Sequence, residues 1–328
     1  CTLDDRLEAF RGNGLFRQYI PSNPIKYVLK IFALVDSRMY YTVNLEIYAG
    51  KQPEGPFAIS NKASDVVRRL TSIVSVTGRN ITVDNWFTSI DIANYLYDHN
   101  LTLVGTLRKN KQQIPPEFVV TTSRDIGSSL FGFQNNSTLV SYVAKKNKVV
   151  LALSTMHHDA TIDPETGSKN KPEIITFYNA TKAGVDTVDQ MCSTYNVARK
   201  TNRWPMVVFY SMLNVADINA QIIFQSNNKT ENRQRSHFLK NLARDLSDDY
   251  LRVRSQCSSL PVTLKRDISN LHGNTNEPQL LPTQDVPSTK RKRCFKCSRS
   301  KNRATKYTCR SCGQYICLEH AQQICSDC

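Results

Sequence analysis

The C-terminal segment CFKCSRSKNRATKYTCRSCGQYICLEHAQQICSDC, residues 294–328, contains side chains that could bind metal at a regular spacing. Its eight ligand candidates form four pairs, each with two residues between its members: Cys294 and Cys297, Cys309 and Cys312, Cys317 and His320, Cys325 and Cys328. This spacing lets two side chains converge on one tetrahedral Zn²⁺, so the segment predicts two structural zinc sites. Because the segment is too short for a useful core, metal binding must supply its folding free energy, on the order of 10 kcal/mol per site.

The spacing does not decide which pairs share an ion. We expect a cross-braced arrangement, with the first and third pairs on one ion and the second and fourth pairs on the other, while sequential pairing stays open. A disulfide-linked tail is the chemical alternative, but the spacing and the lack of secretory features argue against it. A zinc module of this kind could bind DNA, a histone tail or a ubiquitin-conjugating enzyme.

Carboxylates form a second set of candidates. In TKAGVDTVDQMC, residues 181–192, Asp186 and Asp189 are three residues apart within the apolar periodicity of a helix. Acids near a helix start also complement the helix dipole, so this pair alone does not establish a site. Asp4 lies in the first predicted strand, and Asp84 lies at the end of a later strand, where the chain leaves the sheet.

Three carboxylates that meet at one edge of a sheet repel one another, and their repulsion favours divalent cations. Mg²⁺ prefers oxygen ligands and is commonly held by a few carboxylates together with substrate phosphates. Asp4, Asp84 and Asp186 are therefore candidates for a two-metal site of phosphoryl transfer. Composition alone leaves other triples open, since the chain has 28 acidic residues. Strand alternation sends Asp5 to the face opposite Asp4, which argues against Asp5 as a ligand.

The elements that must position these carboxylates follow an α/β plan. Strands are predicted over 1–8, 26–36, 39–48, 80–87 and 101–107, and helices over 64–74, 89–99, 204–224 and 236–254. Three strands, a helix, a strand, a helix and a strand indicate a mixed sheet with helices. Between about 108 and 171 the pattern changes to a small strand-rich insertion bounded by polar loops.

The chain is strongly basic, with a formal charge of +15 from 43 Lys and Arg against 28 Asp and Glu. This excess favours a polyanionic partner, most simply nucleic acid. Outside the tail only Cys1, Cys192 and Cys257 remain, too few for a disulfide framework, so we expect a reducing cytosol or nucleus. No apolar run is expected to reach membrane-spanning length, and no membrane partner is expected. KRKR, residues 290–293, could be a nuclear import signal, a phosphate-contacting arm or a solvated charge run.

Six segments together resemble the catalytic region of the piggyBac transposase family. In chain order they are TLDDRLEAFRG, FRQYIPSNPIKY, RNITVDNWFTS, GTLRKNKQQIP, YNATKAGVDTVDQMC and ARKTNRWPM. The cysteine-rich tail resembles that family's C-terminal zinc domain, so the resemblance extends from residue 1 to residue 328. Because the chain starts at Cys1, within a predicted strand, we expect it to be part of a longer protein with a further N-terminal region.

The resemblance implies an RNase H-like, retroviral-integrase-type catalytic domain in which three aspartates bind Mg²⁺ or Mn²⁺, two ions per active site. By motif these are Asp4 in TLDD, Asp84 in VDNWF and Asp186 in GVDTVDQ. Asp189 resembles a nearby acidic residue of the family and is assigned an auxiliary role. The implied organisation is 1–108 and 173–265 as the two parts of the catalytic domain, 109–172 as an insertion, 266–293 as a flexible basic linker and 294–328 as the zinc-binding domain.

The resemblance also implies a cut-and-paste DNA transposase. The sparse cysteines and the KRKR run lead us to expect a nuclear location. One strand is hydrolysed at the element end, the freed 3′-hydroxyl attacks the opposite strand to form a hairpin, and the opened end is joined to a TTAA target. The implied partners are double-stranded DNA, as transposon ends and target, and a second copy of the chain in a homodimer.

Basic segments are the predicted DNA contacts. Arg108 and Lys111 in GTLRKNK resemble family positions that approach target DNA. Arg199, Lys200 and Arg203 in ARKTNRWP are predicted phosphate ligands just past the catalytic helix.

Two other functions remain open alternatives. A domesticated, non-catalytic DNA- or chromatin-binding protein would keep the fold and the zinc module, but it has no physical reason to keep three mutually repulsive carboxylates. A ubiquitin ligase built on the tail would leave Asp4, Asp84 and Asp186 without a role. We therefore favour the transposase.

Overall fold

The computed structural model of the chain describes residues 1–228, 234–271, 291–309 and 312–321. The chain divides into two compact units, Cys1–Arg233 and Gln234–Cys328. The first unit contains the three candidate carboxylates, and the second contains the cysteine-rich segment. The domain boundaries at 108, 172 and 265 stay predictions.

A nine-stranded mixed sheet with helices packed on it forms the first unit. The strands are β1 (Thr2–Ala9), β2 (Gln18–Tyr19), β3 (Tyr27–Val35), β4 (Thr42–Ile47), β5 (Asn80–Val83), β6 (Thr102–Leu107), β7 (Ser129–Gln134), β8 (Ser137–Lys145) and β9 (Lys148–Ser154). The helices are α1 (Ala63–Thr71), α2 (Ile90–Asp98), α3 (Glu173–Thr181), α4 (Gly184–Thr194) and α5 (Trp204–Asn227).

Strand β1 joins the antiparallel and the parallel parts of this sheet. It pairs antiparallel with β3, which in turn pairs antiparallel with β4, and it pairs parallel with β5 on its other side. Strands β5 and β6 are also parallel. Three antiparallel strands followed by two parallel strands confirm the mixed sheet expected of an RNase H-like domain. The predicted strands over 1–8, 26–36 and 101–107 are therefore present, and the strand predicted over 80–87 ends at Val83.

The strands of the predicted insertion extend the same sheet. Strand β9 pairs antiparallel with β6, with Val104 opposite Ser154, and β8 and β7 follow it in order. Strand β6 thus has partners on both sides, and residues 129–154 lengthen the sheet beyond the parallel pair. Sequence alternation predicted strands in this region but did not indicate what they pair with.

Side chains of β3 point alternately to the two faces of the sheet, and helices cover both faces. On one face, Phe32 and Leu34 pack with α1 and α2 through residues such as Leu70 and Leu96. On the other face, the core cluster contains Ala33 and Val35 with α4 and α5, through Val185, Val188, Val215 and Ile218. Because side chains alternate along a strand, the neighbouring β1 must also divide its residues between the two helical layers.

Helix α5 corrects one expectation. With 24 residues it is long and apolar enough, by length and composition, to cross a membrane, so the expectation that no apolar run reaches this length is wrong. The central residues Val215 and Ile218 are buried against the sheet in the first unit. Length and composition are also met by helices that cover the core of a soluble domain, so α5 does not by itself indicate a membrane partner.

Among its described residues, the second unit has two α-helices and a two-stranded sheet. These elements are α6 (Arg235–Ser255), α7 (Val262–Leu271), β10 (Lys292–Arg293) and β11 (Ala304–Thr305). The flexible linker is predicted to begin at residue 266. Helix α7 instead continues to Leu271 and buries Ile268, because this segment has an apolar stripe despite its polar composition. The rest of that linker up to residue 290 lies outside the described residues.

Candidate active site and metal centre

Asp4 and Asp84 come together because β1 and β5 run parallel and in register. Leu3 is paired with Val83, so Asp4 and Asp84 follow at the same level of the sheet. Strand β5 ends at Val83, whereas β1 continues to Ala9. The carboxylate of Asp84 therefore stands where the chain leaves the sheet, next to the exposed edge of β1.

The turn after β5 orients Asp84. Its Oδ1 accepts hydrogen bonds from the backbone N–H groups of Trp86 at 2.9 Å and Phe87 at 3.3 Å. The hydroxyl of Thr88 donates to the Asp84 carbonyl at 2.7 Å. Close packing requires Gly105 on β6, since a Cβ there would lie 2.3 Å from Thr88 Oγ1. A carboxylate has a second oxygen, so Asp84 can still bind a cation in this fixed orientation.

Asp186 reaches the same region from α4. It is exposed in the first turn of that helix, where the helix dipole favours negative charge. Gly184, at the helix start, allows α4 to approach β1 closely, because a Cβ there would lie 2.9 Å from Thr2 Oγ1. The close approach brings the N-terminus of α4 onto the strand that carries Asp4.

The electrostatics show that Asp84 and Asp186 act on the buried Asp4. Burial raises the pKa of Asp4 to about 7, and the charges of Asp84, Asp5 and Asp186 add to the rise, against a hydrogen bond from the Asp5 backbone N–H. Burial also raises the pKa of the Tyr178 phenol on α3, with further contributions from the three carboxylates. Tyr178 thus faces this site. The analysis of the sequence missed it, although it belongs to the motif YNATKAGVDTVDQMC.

The basic side chains next to Asp4 form ion pairs with other acidic residues. Lys30 Nζ lies 2.6 Å from Asp5 Oδ2, on the sheet face opposite Asp4, as strand alternation predicts. In the part of the chain that the structure describes, no Lys, Arg or His forms an ion pair with Asp4, Asp84 or Asp186. A set of oxygen donors with uncompensated negative charge fits a hard divalent cation.

Asp189 forms an ion pair with a buried arginine. Its Oδ1 accepts a hydrogen bond of 2.5 Å from Nε of Arg6, whose side chain is 1% exposed. Burial raises the pKa of Asp189, and the Arg6 guanidinium opposes that rise. Spacing correctly indicated that Asp186 and Asp189 share a helix face but could not indicate this partner. The auxiliary catalytic role of Asp189 stays a prediction.

The predicted DNA contacts fall in two places. Arg108 is exposed beside the turn that holds Asp84, and its Nε donates to Asn85 Oδ1 at 2.9 Å. Lys111 lies in the loop that follows, and Arg203 is exposed directly before α5.

Arg199 and Lys200 line a separate groove of about 1020 Å³. The groove also contains Arg11, Arg17 and Lys26, which sequence reasoning did not single out although they lie in the quoted motifs. Glu8, at the end of β1, forms part of its wall. The groove is therefore a basic surface on the strand that carries Asp4.

Four of the predicted zinc ligands converge in the second unit. The ligand atoms of Cys294, Cys297, Cys317 and His320 all lie within 4.8 Å of one another. Cys297 Sγ lies 3.7 Å from Cys317 Sγ, and His320 Nδ1 lies 3.3 Å from Cys317 Sγ and 3.9 Å from Cys294 Sγ. A tetrahedral zinc with bonds of about 2.3 Å to sulfur and about 2.0 Å to nitrogen requires separations of roughly 3.8 and 3.5 Å. The cluster therefore has the dimensions of a zinc site.

This cluster unites the first and third ligand pairs, which is the first half of the cross-braced arrangement. Cys309 and Cys312 are half-buried in the same unit. Their expected partners, Cys325 and Cys328, lie outside the described residues, so the second zinc site stays a prediction. No other group of three or more His, Cys, Asp or Glu side chains in the described ranges gathers as tightly.

The chain is similar to known transposases. Residues 1–221 match the family described as Transposase IS4. The whole chain is similar to the protein in a cryo-EM structure of a piggyBac transposase synaptic complex with hairpin DNA, with 38% sequence identity and a TM-score of 0.80. The match covers 100% of this chain and 69% of that protein chain.

Asp4 gives the fold a defined pH dependence in the absence of Mg²⁺ and Mn²⁺. Its pKa is about 7 in the folded state and 3.8 ordinarily, so between these values the folded state binds more protons than the unfolded state. Stability must therefore fall as the pH rises through this window, by on the order of 1 kcal/mol per pH unit. We expect Asp4→Asn to be more stable than the parent at pH 8 and about equal near pH 4 in urea denaturation. The exposed Asp125→Asn is the control, and an Asp4→Asn protein less stable than the parent at pH 8 would contradict the assignment.

The zinc cluster should contribute to the fold of its own segment only. We expect Cys297→Ser to lower the zinc content by about one ion per chain, measured by elemental analysis, because a closed site needs all four ligands. Chelation should unfold residues 294–328 and leave most of the helical circular dichroism signal. Cys257→Ser removes an exposed cysteine outside the cluster and should keep the full zinc content; equal zinc contents in both variants would exclude the site.

Proposed function

Because this chain belongs to the Transposase IS4 family, as a DNA transposase of the piggyBac type, we propose that Asp4, Asp84 and Asp186 are its catalytic metal ligands. The family uses divalent metal, and we propose two Mg²⁺ or Mn²⁺ ions per active site. The observation that supports this assignment is the buried carboxylate of Asp4, whose pKa is raised by burial and further by the charges of Asp84 and Asp186. None of the three carboxylates has a basic partner among the described residues. Such a pair of ions, when bound, stabilises the attacking and leaving oxygens of an in-line phosphoryl displacement.

The side chains prepare this chemistry before DNA arrives. Oδ1 of Asp84 is held by two backbone N–H groups, so this carboxylate cannot rotate away from the site. With a pKa of about 7, Asp4 is partly protonated near neutral pH, and this proton must leave when a cation binds, which makes metal binding dependent on pH. Asp186 is exposed and can face DNA and metal together.

We propose that one set of carboxylates serves each strand-transfer step. These steps are hydrolysis at the element end, hairpin formation by the freed 3′-hydroxyl, hairpin opening and joining to a TTAA target. The similar piggyBac transposase was solved in a synaptic complex with hairpin DNA, which supports the hairpin step. We also propose that this chain works as a homodimer.

The basic groove is the proposed path of the DNA duplex. The side chains of Asp4, Arg6 and Glu8 lie on the same face of β1. Because Glu8 forms part of the groove wall, the groove begins roughly 13 Å from Asp4 along the strand. Arg17 is fixed within it, because its guanidinium donates to the Gly12 carbonyl at 2.8 Å and lies 4.8 Å from the centre of the Tyr27 ring. Arg108 beside Asp84 extends positive charge to the opposite side of the carboxylates.

The remaining assignments follow from composition and spacing. We propose two structural zinc ions, with Cys309, Cys312, Cys325 and Cys328 on the second. We also propose a nuclear location, for which the basic residues 290–293 are a candidate signal. A domesticated DNA-binding protein without catalysis is the alternative, and the three carboxylates argue against it.

The catalytic assignment predicts that Asp84→Asn loses Mn²⁺-dependent nicking of DNA. The test uses the complete protein and a duplex that carries the terminal sequence flanking its gene. We expect at least a roughly 100-fold loss in rate, since removing a metal ligand removes several kcal/mol of transition-state stabilisation. Thermal unfolding should show that the variant is folded. Asp98→Asn, exposed at the end of α2, should nick at the parental rate, and parental nicking by Asp84→Asn would disprove the assignment.

The groove assignment predicts a uniform loss of DNA affinity. Lys26→Gln and Lys200→Gln should each weaken binding to duplexes of any sequence and reduce the slope of log Kd against log salt by about 1, because each removes one phosphate contact. Fluorescence anisotropy at several salt concentrations measures both quantities. Lys146→Gln, in the turn between β8 and β9, removes the same charge outside the groove. If it has the same effect, then overall charge and not the groove determines binding.

A further inference from the structure

We propose that Arg6 is a positioning residue, whose buried guanidinium holds α4 on β1 in the register that places Asp186 beside Asp4. The inference rests on the metal-binding role proposed above for Asp4, Asp84 and Asp186. It assigns Arg6 no contact with substrate or metal.

The contacts of Arg6 join one strand to two helices. Nε donates to Asp189 Oδ1 at 2.5 Å, and Nη2 lies 3.3 Å from Cys192 Sγ, so two residues of α4 contact the guanidinium. Nη2 also donates to Glu8 Oε1 at 3.2 Å. The hydroxyl of Ser211 on α5 donates to the same Glu8 oxygen at 2.7 Å. A charge that is 1% exposed is strongly destabilising unless it is paired, so α4 must stay where Asp189 meets the guanidinium.

The sequence spacing links the Arg6–Asp189 contact to the proposed metal ligands Asp4 and Asp186. Asp4 and Arg6 are two apart on one face of β1, separated by about 6.6 Å. Asp186 and Asp189 are three apart on nearly one face of α4, separated by about 4.5 Å along its axis. The Arg6–Asp189 ion pair and the approach of Asp186 to Asp4 are therefore neighbouring parts of one contact between β1 and α4. A shift of α4 that separates Asp186 from Asp4 must also break the ion pair.

The alternative is that Asp189 acts through its own charge on metal or DNA, which is its predicted auxiliary role. The two possibilities predict different results when Arg6 and Asp189 are both replaced by neutral residues. If the contact matters, a glutamine and an asparagine that hydrogen-bond to each other can replace the two ions. If the charge of Asp189 matters, no substitution at residue 6 can compensate for its loss.

The test compares Arg6→Gln, Asp189→Asn and the double variant in the complete, zinc-loaded protein. Mn²⁺ binding is titrated by electron paramagnetic resonance of the free ion, without DNA, so that the measurement is independent of activity. We expect each single variant to raise the Kd for Mn²⁺ about 10-fold, and the double variant to return it to within about 3-fold of the parent. Single effects that multiply in the double variant would overturn the proposal.

Arg69→Gln is the matched control. Arg69 forms a two-pronged ion pair with Glu46, at 2.7 and 2.6 Å, that joins α1 to β4 on the other face of the sheet. It should lower the melting temperature and leave Mn²⁺ binding unchanged. If Arg6→Gln affects binding no more than Arg69→Gln does, the Arg6 contact is only structural and the proposal is wrong.

Three further outcomes have defined meanings. If Arg6→Gln does not fold, the folded double variant decides, since its parental Mn²⁺ affinity supports the proposal and its lost affinity refutes it. If neither folds, Asp189→Asn decides, because a parental Mn²⁺ affinity in this variant refutes the proposal. If Asp84→Asn and the parent bind Mn²⁺ equally, the metal site itself is misassigned and both proposals fall.

Discussion

A guanidinium buried between a strand and two helices constrains the first unit of this protein. Arg6 lies on β1, and its partners come from α4, from Ser211 on α5 and from Glu8, which also accepts a hydrogen bond from Ser211. Apolar packing could tolerate a small slide of these helices, because Val188 and Ile218 would still be buried after it. A buried charge does not tolerate such a slide, since an unpaired guanidinium is destabilising by several kcal/mol. Directional polar contacts thus fix the helix positions that nonpolar contacts leave loose.

The chemistry of the site depends on the opposite condition, because its carboxylates form no ion pair with a basic residue in the described part of the chain. Lys30 pairs with Asp5 and Arg6 pairs with Asp189, so the basic residues next to Asp4 in the sheet are already engaged. Burial raises the pKa of Asp4 to about 7, and the charges of Asp84, Asp5 and Asp186 add to the rise. The same burial beside like charges that destabilises the ionised form of Asp4 also favours the binding of a cation. Along one face of β1 the carboxylates, the buried ion pair and the basic groove follow one another.

The second unit obtains its order in another way. The four ligand atoms of its Cys/His cluster come from segments that have few buried apolar residues, and the apolar contacts around them involve little beyond Ile316. Metal bonds at this cluster would replace the hydrophobic core that so short a segment cannot form. The two units therefore offer two kinds of ligand set for divalent metal: a closed set of sulfur and nitrogen atoms suited to folding, and the open set of oxygen atoms proposed for catalysis.

Sequence alone determined the features that depend on local spacing. Alternation predicted the strands of the mixed sheet and separated Asp4 from Asp5, helical periodicity put Asp186 and Asp189 on one face, and the paired cysteines indicated zinc. Only the tertiary structure decided what faces these residues: Asp189 meets Arg6 from 183 positions away, the first and third ligand pairs meet, and β7, β8 and β9 lengthen the main sheet. The basic groove likewise combines residues 8–27 with residues 196–214. Local periodicity reports the face on which a side chain lies, whereas its partner depends on long-range packing that no short pattern encodes.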